Sequence, residues 1–330
     1  MYQLIKDFPA QINAALEIGE KAVFNTKFTS PIKNIVVSGL GGSGIGGNLL
    51  AELLRDELKV PVVVNKGYTL PAFIDNSTLL ILCSYSGNTE ETVTCANLAA
   101  QNKWNPICIT SGGKLADIAV KNNFDLITIP SGFPPRACLG YSIVGLFYVL
   151  NHFGLIGDSF KAAYKKVANL LQAEQADIMK GAEALAADLK GKVMIVYADE
   201  KYDSVAVRIK QQFNENSKSH SWVNVFPEVN HNELVGWRRD YPSLAIVVLR
   251  ADDEYKRNTY RIEFTEGVIK KTGNSLHEIK AKGADTFEKH FYLIHWGDWL
   301  SYYLAVGQGF DPMEIEVLTA LKHHMSSIVD

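Results

Sequence analysis

Three groups of residues in this sequence have the types and spacing to do chemistry. In Ser84-Tyr85-Ser86-Gly87-Asn88-Thr89, the hydroxyls of Ser84, Ser86 and Thr89 surround one glycine. Each hydroxyl can donate a hydrogen bond, and a loop without Lys or Arg suits a phosphate monoester held mainly by hydrogen bonds. In GLGGSGIGG, from Gly39 to Gly47, Ser43 is a further donor, and Gly42 and Gly44, like Gly87, let backbone come close to a ligand. Glu215 in FNENSK and His231 in VNHNE, sixteen residues on, are the residue types that proton shuttling near neutral pH requires. Two cations stand apart. Arg136 follows Pro134-Pro135 and precedes a long apolar run, which restrains it and makes it a candidate ligand-facing cation, while Lys322 lies in the last amphipathic segment.

Each group also has a plain structural alternative. A Ser or Thr at a strand-helix turn can be an N-cap, Glu215 can be a surface carboxylate at a helix end, and His231 can be structural. Lys322, with His323 and His324 beside it, can be a solvated helix residue, and adjacent positions on a helix do not face one ligand.

The elements that must position these residues follow from the pattern around them. Leu79 to Cys83 is an unbroken apolar run of strand length, as in a strand buried on both faces of a parallel sheet, and Glu90 to Ala100 reads as a helix. A strand feeding such a turn aims unpaired N–H groups and the positive end of the helix dipole at one point, where an anion should sit. Asn34 to Leu40 reads as another buried strand, followed by the glycine loop and a helix in NLLAELLRDEL. Gly39, Gly41 and Gly44 formally satisfy the dinucleotide fingerprint. That fingerprint needs an acid at the end of the second strand, and VPVVVNKGYTL has Asn65 and Lys66 there, so a nicotinamide site is rejected. The two loops are expected side by side at the carboxyl edge of one sheet.

Asn105 to Thr110 and Asp125 to Pro130 continue the strand-helix alternation of a doubly wound α/β fold. An amphipathic helix is expected at about Gln11 to Phe24. The charged helical stretch from Gly157 to Lys190 bridges to a second series of strands, Lys192 to Glu200 and Ser243 to Glu254. Two domains are expected, 1–155 with the phosphate loops and 156–330 with the catalytic groups, and Glu215 at the end of a helix that starts near Ser204.

Composition sets the outer bounds. The 330 residues are 47% hydrophobic and 21% charged, as in a soluble two-domain protein, and the net charge of −3 argues against nucleic acid or an anionic membrane as main partner. The N-terminus does not read as a signal peptide and no apolar run reaches membrane-spanning length. Cys83, Cys95, Cys108 and Cys138 have no metal-ligand spacing and read as buried thiols of a reducing cytoplasm.

GLGGSGIGG, SYSGNTEET, PPRACLGY, FNENSK and PEVNHNELVGW, with a terminal helix carrying Leu321-Lys322, together resemble the bifunctional phosphoglucose/phosphomannose isomerases of the sugar isomerase (SIS) superfamily. SYSGNTEET alone is shared by many SIS domains, whereas NEN followed by NHNE at this spacing is more specific. The resemblance implies two SIS domains and an aldose-ketose isomerase acting on hexose 6-phosphates without metal or redox cofactor. It implies that Ser43, Ser84, Ser86 and Thr89 hold the phosphate, that Glu215 moves the proton between C1 and C2, and that Arg136 stabilises the enediolate. His231 and Lys322 would assist ring opening, with His231 reaching in from the neighbouring subunit of a homodimer. One departure is Met313 after Asp311-Pro312, where family members commonly have Thr; it bears on whether both C2 epimers are accepted. The chemistry itself asks for such a set: a carboxylate near both carbons, a cation at the developing oxyanion and a second acid/base for the ring.

A runner-up and a third reading stand beside this one. A non-catalytic SIS sensor of sugar phosphates would need the phosphate loops but not Glu215, His231 or Lys322. The isomerase half of a glucosamine 6-phosphate synthase would need an N-terminal cysteine domain, for which residues 1–30 leave no room.

Overall fold

The computed structural model describes residues 1–328. Two short N-terminal helices, α1 (Tyr2–Lys6) and α2 (Phe8–Glu20), precede β1 (Asn34–Ser38), α3 (Gly41–Leu53), β2 (Val62–Asn65), β3 (Thr78–Cys83), α4 (Glu90–Gln101), β4 (Ile107–Thr110), α5 (Gly113–Asn122), β5 (Asp125–Thr128) and α6 (Leu139–His152). The long α7 (Ser159–Leu189) leads to β6 (Val193–Asp199), α8 (Asp203–Glu215), β7 (Ser221–Phe226), β8 (Leu244–Arg250), α9 (Lys256–Lys271), β9 (Ser275–Lys280), α10 (Thr286–Gln308) and α11 (Glu316–Ser326). The first sheet has the order β2-β1-β3-β4-β5 and the second β7-β6-β8-β9, with every pairing parallel. The doubly wound expectation holds, and the second sheet repeats the strand order of the first, less one strand.

The apolar run of β3 is buried at all six positions because helices cover both faces. Its side chains alternate between two cores: Leu79, Ile81 and Cys83 face the core shared with the second half, while Leu80 and Leu82 face α4 and α5. In β6, Met194, Val196 and Ala198 join that same shared core, and Ile195 and Tyr197 face a separate one under α9. The shared core thus runs unbroken between the sheets, filled by α6, buried at twelve of its fourteen residues, and by the inner faces of α2, α7, α8 and α10.

Local departures from the sequence reading have simple causes. The opening helix divides at Asp7, and α2 starts ahead of the expected Gln11 because Pro9 sits in its first turn, where no N–H is needed. The glycine stretch is not a loop: α3 begins at Gly41 and ends at Leu53, short of the expected DEL. The second and fifth strands are shorter than expected, since backbone pairing stops where the chain turns out of the sheet. The four cysteines are buried and unpaired, and burial pushes the thiols of Cys83 and Cys138 up to about 12.

α3 and α8 run antiparallel across the junction of the halves, and each end of the pair is fastened by a buried polar cluster. At one end, Glu52 of α3 accepts from the backbone N–H of Ser204 at 2.9 Å, from the Ser204 hydroxyl, and from Nε2 of His290 at 2.8 Å. At the other, Arg208 of α8 donates to Asp298 of α10 at 2.9 Å and to the Arg136 carbonyl at 3.0 Å, while Gln212 donates to the second oxygen of Asp298 at 2.7 Å. Asp298→Ala would leave the guanidinium of Arg208, itself only 3% exposed, without its counterion. A loss of about 3–5 kcal/mol is expected, read by thermal or urea unfolding; an unchanged midpoint would show that the pair gives no net stability.

Candidate active site

The order of the first sheet reverses between β1 and β3, so the loops leaving their carboxyl ends flank the switch point where open α/β sheets bind ligands. These are the short Gly39-Leu40 link into the first turn of α3, which carries Ser43, and the loop Ser84 to Thr89. The Oγ of Ser43 accepts the backbone N–H of Tyr85 at 3.2 Å, which joins them directly. The Ser84 hydroxyl donates to that of Thr89 at 2.9 Å, and the Ser86 hydroxyl accepts the N–H of Asn88 at 3.2 Å. Thr89 is the residue before α4, yet neither its side chain nor that of Leu40 before α3 caps a helix. Two helix N-termini therefore present uncapped N–H groups beside four hydroxyls, an arrangement suited to an anion of several oxygens.

The backbone of this corner is set by close approach. A Cβ on Gly42 would stand 2.9 Å from the Pro135 carbonyl oxygen, so α3 lies directly against the turn that carries Arg136. Gly87 has φ +65°, and a Cβ there would stand 1.7 Å from the carbonyl oxygen of Gly112.

Arg136 lies in a short 3-10 turn, Pro135–Ala137, and is 3% exposed. Its Nε donates to Oδ1 of Asn216 at 2.7 Å, and one terminal nitrogen donates to the Pro312 carbonyl at 2.6 Å and the Met313 carbonyl at 3.4 Å. The other terminal nitrogen pairs with the Glu215 carboxylate at 3.3 Å. A guanidinium has five N–H groups, so four are committed and one, on the nitrogen that holds Glu215, is left for a ligand. Burial draws the guanidinium below its ordinary pKa, against the pull of Glu215.

Glu215 ends α8, with its side chain 31% exposed, so one side of the carboxylate is held and the other is open. Its neighbours tie the helix end to α10: Asn216 donates to the Ser301 hydroxyl at 2.9 Å, and the Ser217 hydroxyl donates to the Ser301 carbonyl at 2.7 Å. The structure thus brings Ser43, Ser84, Ser86 and Thr89 together at one sheet edge, and Arg136 with Glu215 beside α3.

His231 is not part of that group. It follows a 3-10 turn after β7 and is exposed; Val229 and Trp237 on either side of it are buried with Ile195, Tyr197 and Ile262 on the α9 side of the second sheet. The α8 residues Ile209 and Phe213 are buried on the opposite side of that sheet. Lys322 is exposed on α11, a helix with no buried residue, and its side chain has no hydrogen bond or ion pair among the described residues. Asn216, Lys218 and the carbonyls of the Pro312-Met313 segment went unnoticed in the sequence. The string FNENSK contains the first two, but backbone carbonyls leave no sequence signal.

Gly87→Ala is expected to destabilise the fold by about 2 kcal/mol or more and to weaken inorganic phosphate binding, because both strain and collision act. Gly41 also has positive φ, +51°, but open space around its Cβ, so Gly41→Ala should cost only about 1 kcal/mol. Equal losses in the two unfolding curves would contradict this account.

Two family models match the chain: the SIS domain over residues 30–131 and the bacterial phospho-glucose isomerase C-terminal SIS domain over residues 178–325. A bifunctional phosphoglucose/phosphomannose isomerase of Caldicellulosiruptor bescii is 38% identical, with all of both chains covered. A protein of the same name from Thermoplasma volcanium is 35% identical over 88% of this chain and 91% of its own. Among solved structures, the C-terminal domain of glucosamine-fructose-6-phosphate aminotransferase from Francisella tularensis superposes with a TM-score of 0.70 at 16% identity, covering 94% of this chain and 95% of its own; at that identity the likeness is one of fold. With its length matched at this level by those relatives, the chain belongs to the bifunctional phosphoglucose/phosphomannose isomerase family and is built from two SIS domains.

Proposed function

We propose that this protein is an aldose-ketose isomerase that interconverts glucose 6-phosphate and mannose 6-phosphate with fructose 6-phosphate through a cis-enediol. The observation that carries this reading is the Glu215 carboxylate, open on one side and 3.3 Å from a buried guanidinium, next to a hydroxyl-lined anion corner. Ser43, Ser84, Ser86 and Thr89, with backbone at Gly42, Gly44 and Gly87, hold the phosphate. Glu215 takes the proton from C2 of the aldose and returns it at C1, and the remaining N–H of Arg136 meets the charge that develops on the enediolate oxygens. His231 and Lys322 move a proton between the anomeric hydroxyl and the ring oxygen. A sensor that only binds sugar phosphate needs the hydroxyl corner but gains nothing from an exposed carboxylate paired in this way.

His231 serves a site from which its own chain separates it by the thickness of a sheet, which supports its delivery by a second copy in a homodimer. The division at 155/156 then separates the phosphate half from the half that carries the base. Among the described residues no helix is long and apolar enough to cross a membrane, and we assign the enzyme to the cytoplasm, with no nucleic acid or membrane partner. Met313 directs its carbonyl toward Arg136 and is 41% exposed, so the departure from Thr falls beside the reacting pair.

The test is a coupled assay of fructose 6-phosphate formation from each aldose, with EDTA present. Turnover of both is expected. Turnover of glucose 6-phosphate alone would make Met313 the epimer filter, and binding without turnover would favour the sensor. Glu215→Gln should lower kcat by about 10³-fold or more while KM stays within about threefold; unchanged turnover removes it as the base. Inactive Glu215→Gln and His231→Ala chains, dissociated and reassociated together, should recover about a quarter of the active sites, because half of the dimers are mixed and each mixed dimer has one intact site. No recovery would place His231 and Glu215 of one site on one chain.

A further inference from the structure

We propose that Lys218 is a positioning residue for the isomerisation, acting with Arg136 to clamp the segment 311–314 across the Glu215 site and so to hold the terminal helix in place. This rests on the isomerase reading above. Lys218 stands three residues beyond Glu215, outside α8, with φ +52°. A long side chain takes up that left-handed conformation only where surrounding contacts enforce it. Its Nζ donates to the carbonyls of Asp311 at 2.7 Å, Glu314 at 2.8 Å and Glu215 at 3.0 Å, with the Asn216 carbonyl farther off at 3.4 Å. An ammonium has three protons, and three carbonyls lie within 3.0 Å, so none remains for substrate. That makes Lys218 a group that acts through others.

The two carbonyls between Asp311 and Glu314 are those of Pro312 and Met313, and both are taken by Arg136. Four consecutive backbone carbonyls therefore converge on two cations, each of which also holds Glu215: Arg136 by its carboxylate, Lys218 by its carbonyl. The segment leaves α10 and enters α11, which buries no residue of its own. Within this chain, polar attachment, and not apolar packing, is what fastens the segment that leads into α11 and Lys322. The Glu314 carboxylate lies 3.7 Å from Nζ and is a secondary contact.

The test compares Lys218→Asn and Glu314→Gln with the wild type. Asn accepts left-handed backbone readily, so Lys218→Asn removes the ammonium without adding strain to the turn. It should lower kcat by at least about tenfold with KM within about threefold, because the phosphate corner lies in the other half. It should also speed amide hydrogen exchange over residues 311–326 while leaving that of α4 unchanged. Glu314→Gln keeps the carbonyl contacts and should stay within about twofold of wild-type kcat. Wild-type kcat in Lys218→Asn, a loss confined to KM, unchanged exchange in 311–326, or equal damage from Glu314→Gln would each overturn the proposal. A wild-type protein without turnover would defeat the isomerase reading, whereas the exchange comparison decides the clamp independently of turnover.

Discussion

The constraint on which the site depends is the burial of one guanidinium. Removing a charge from water is costly unless nearly all of its donors are met, and a buried cation that loses a partner is destabilised by several kcal/mol. Arg136 meets that demand by drawing acceptors from two separate parts of the second half, the end of α8, through Asn216 and Glu215, and the segment after α10, through Pro312 and Met313, while its own turn belongs to the first half. A residue chosen for its charge thus also decides which pieces of backbone can lie together. At the hydroxyl corner the donors are instead hydroxyls and helix ends.

The supports behind Arg136 follow the same logic at one remove. Arg208 holds the carbonyl of Arg136 and is neutralised by Asp298, whose second oxygen is taken by Gln212. Burial alone would raise the pKa of Asp298, and the adjacent Arg208 opposes that rise. Ser301, one turn along α10, binds the two residues that follow Glu215. The Glu215 carboxylate is therefore placed by a helix end that is tied to α10, and its outward face is left open.

Much of the fold could be read from the chain because parallel strands buried on both faces leave continuous apolar runs, as in Thr78–Cys83 and Leu244–Arg250. The glycine stretch misled because glycine signals loops by propensity, while here it serves the close approach of α3 to the Arg136 turn, a tertiary demand with no local signature. The side chains that the structure brings together, Ser43 with Ser84, Ser86 and Thr89, and Arg136 with Glu215, could be singled out by type and spacing. Lys218 could not, because its partners are carbonyls that any residue at 311–314 would provide. The separation of His231 from Glu215 within one chain was implied by the family resemblance alone, since sixteen residues of sequence do not say that a sheet lies between them.

The pairing of α3 with α8 carries a mechanical consequence. One end is held through the Arg136 turn, which lies against Gly42 of α3 and gives its carbonyl to Arg208 of α8, and the far end through Glu52, Ser204 and His290. A hinge motion between the halves would have to break one fastening or the other. On the proposed roles, the hydroxyl corner on one half and the carboxylate on the other would stand at a set span, and the protein would act as a gauge. A sugar phosphate shorter by one carbon would leave its reacting carbons about 1.5 Å out of place, a misfit large enough to cost roughly 10²-fold in rate. Chain length would in this way be judged by the rigidity of the scaffold, before any contact with the sugar hydroxyls.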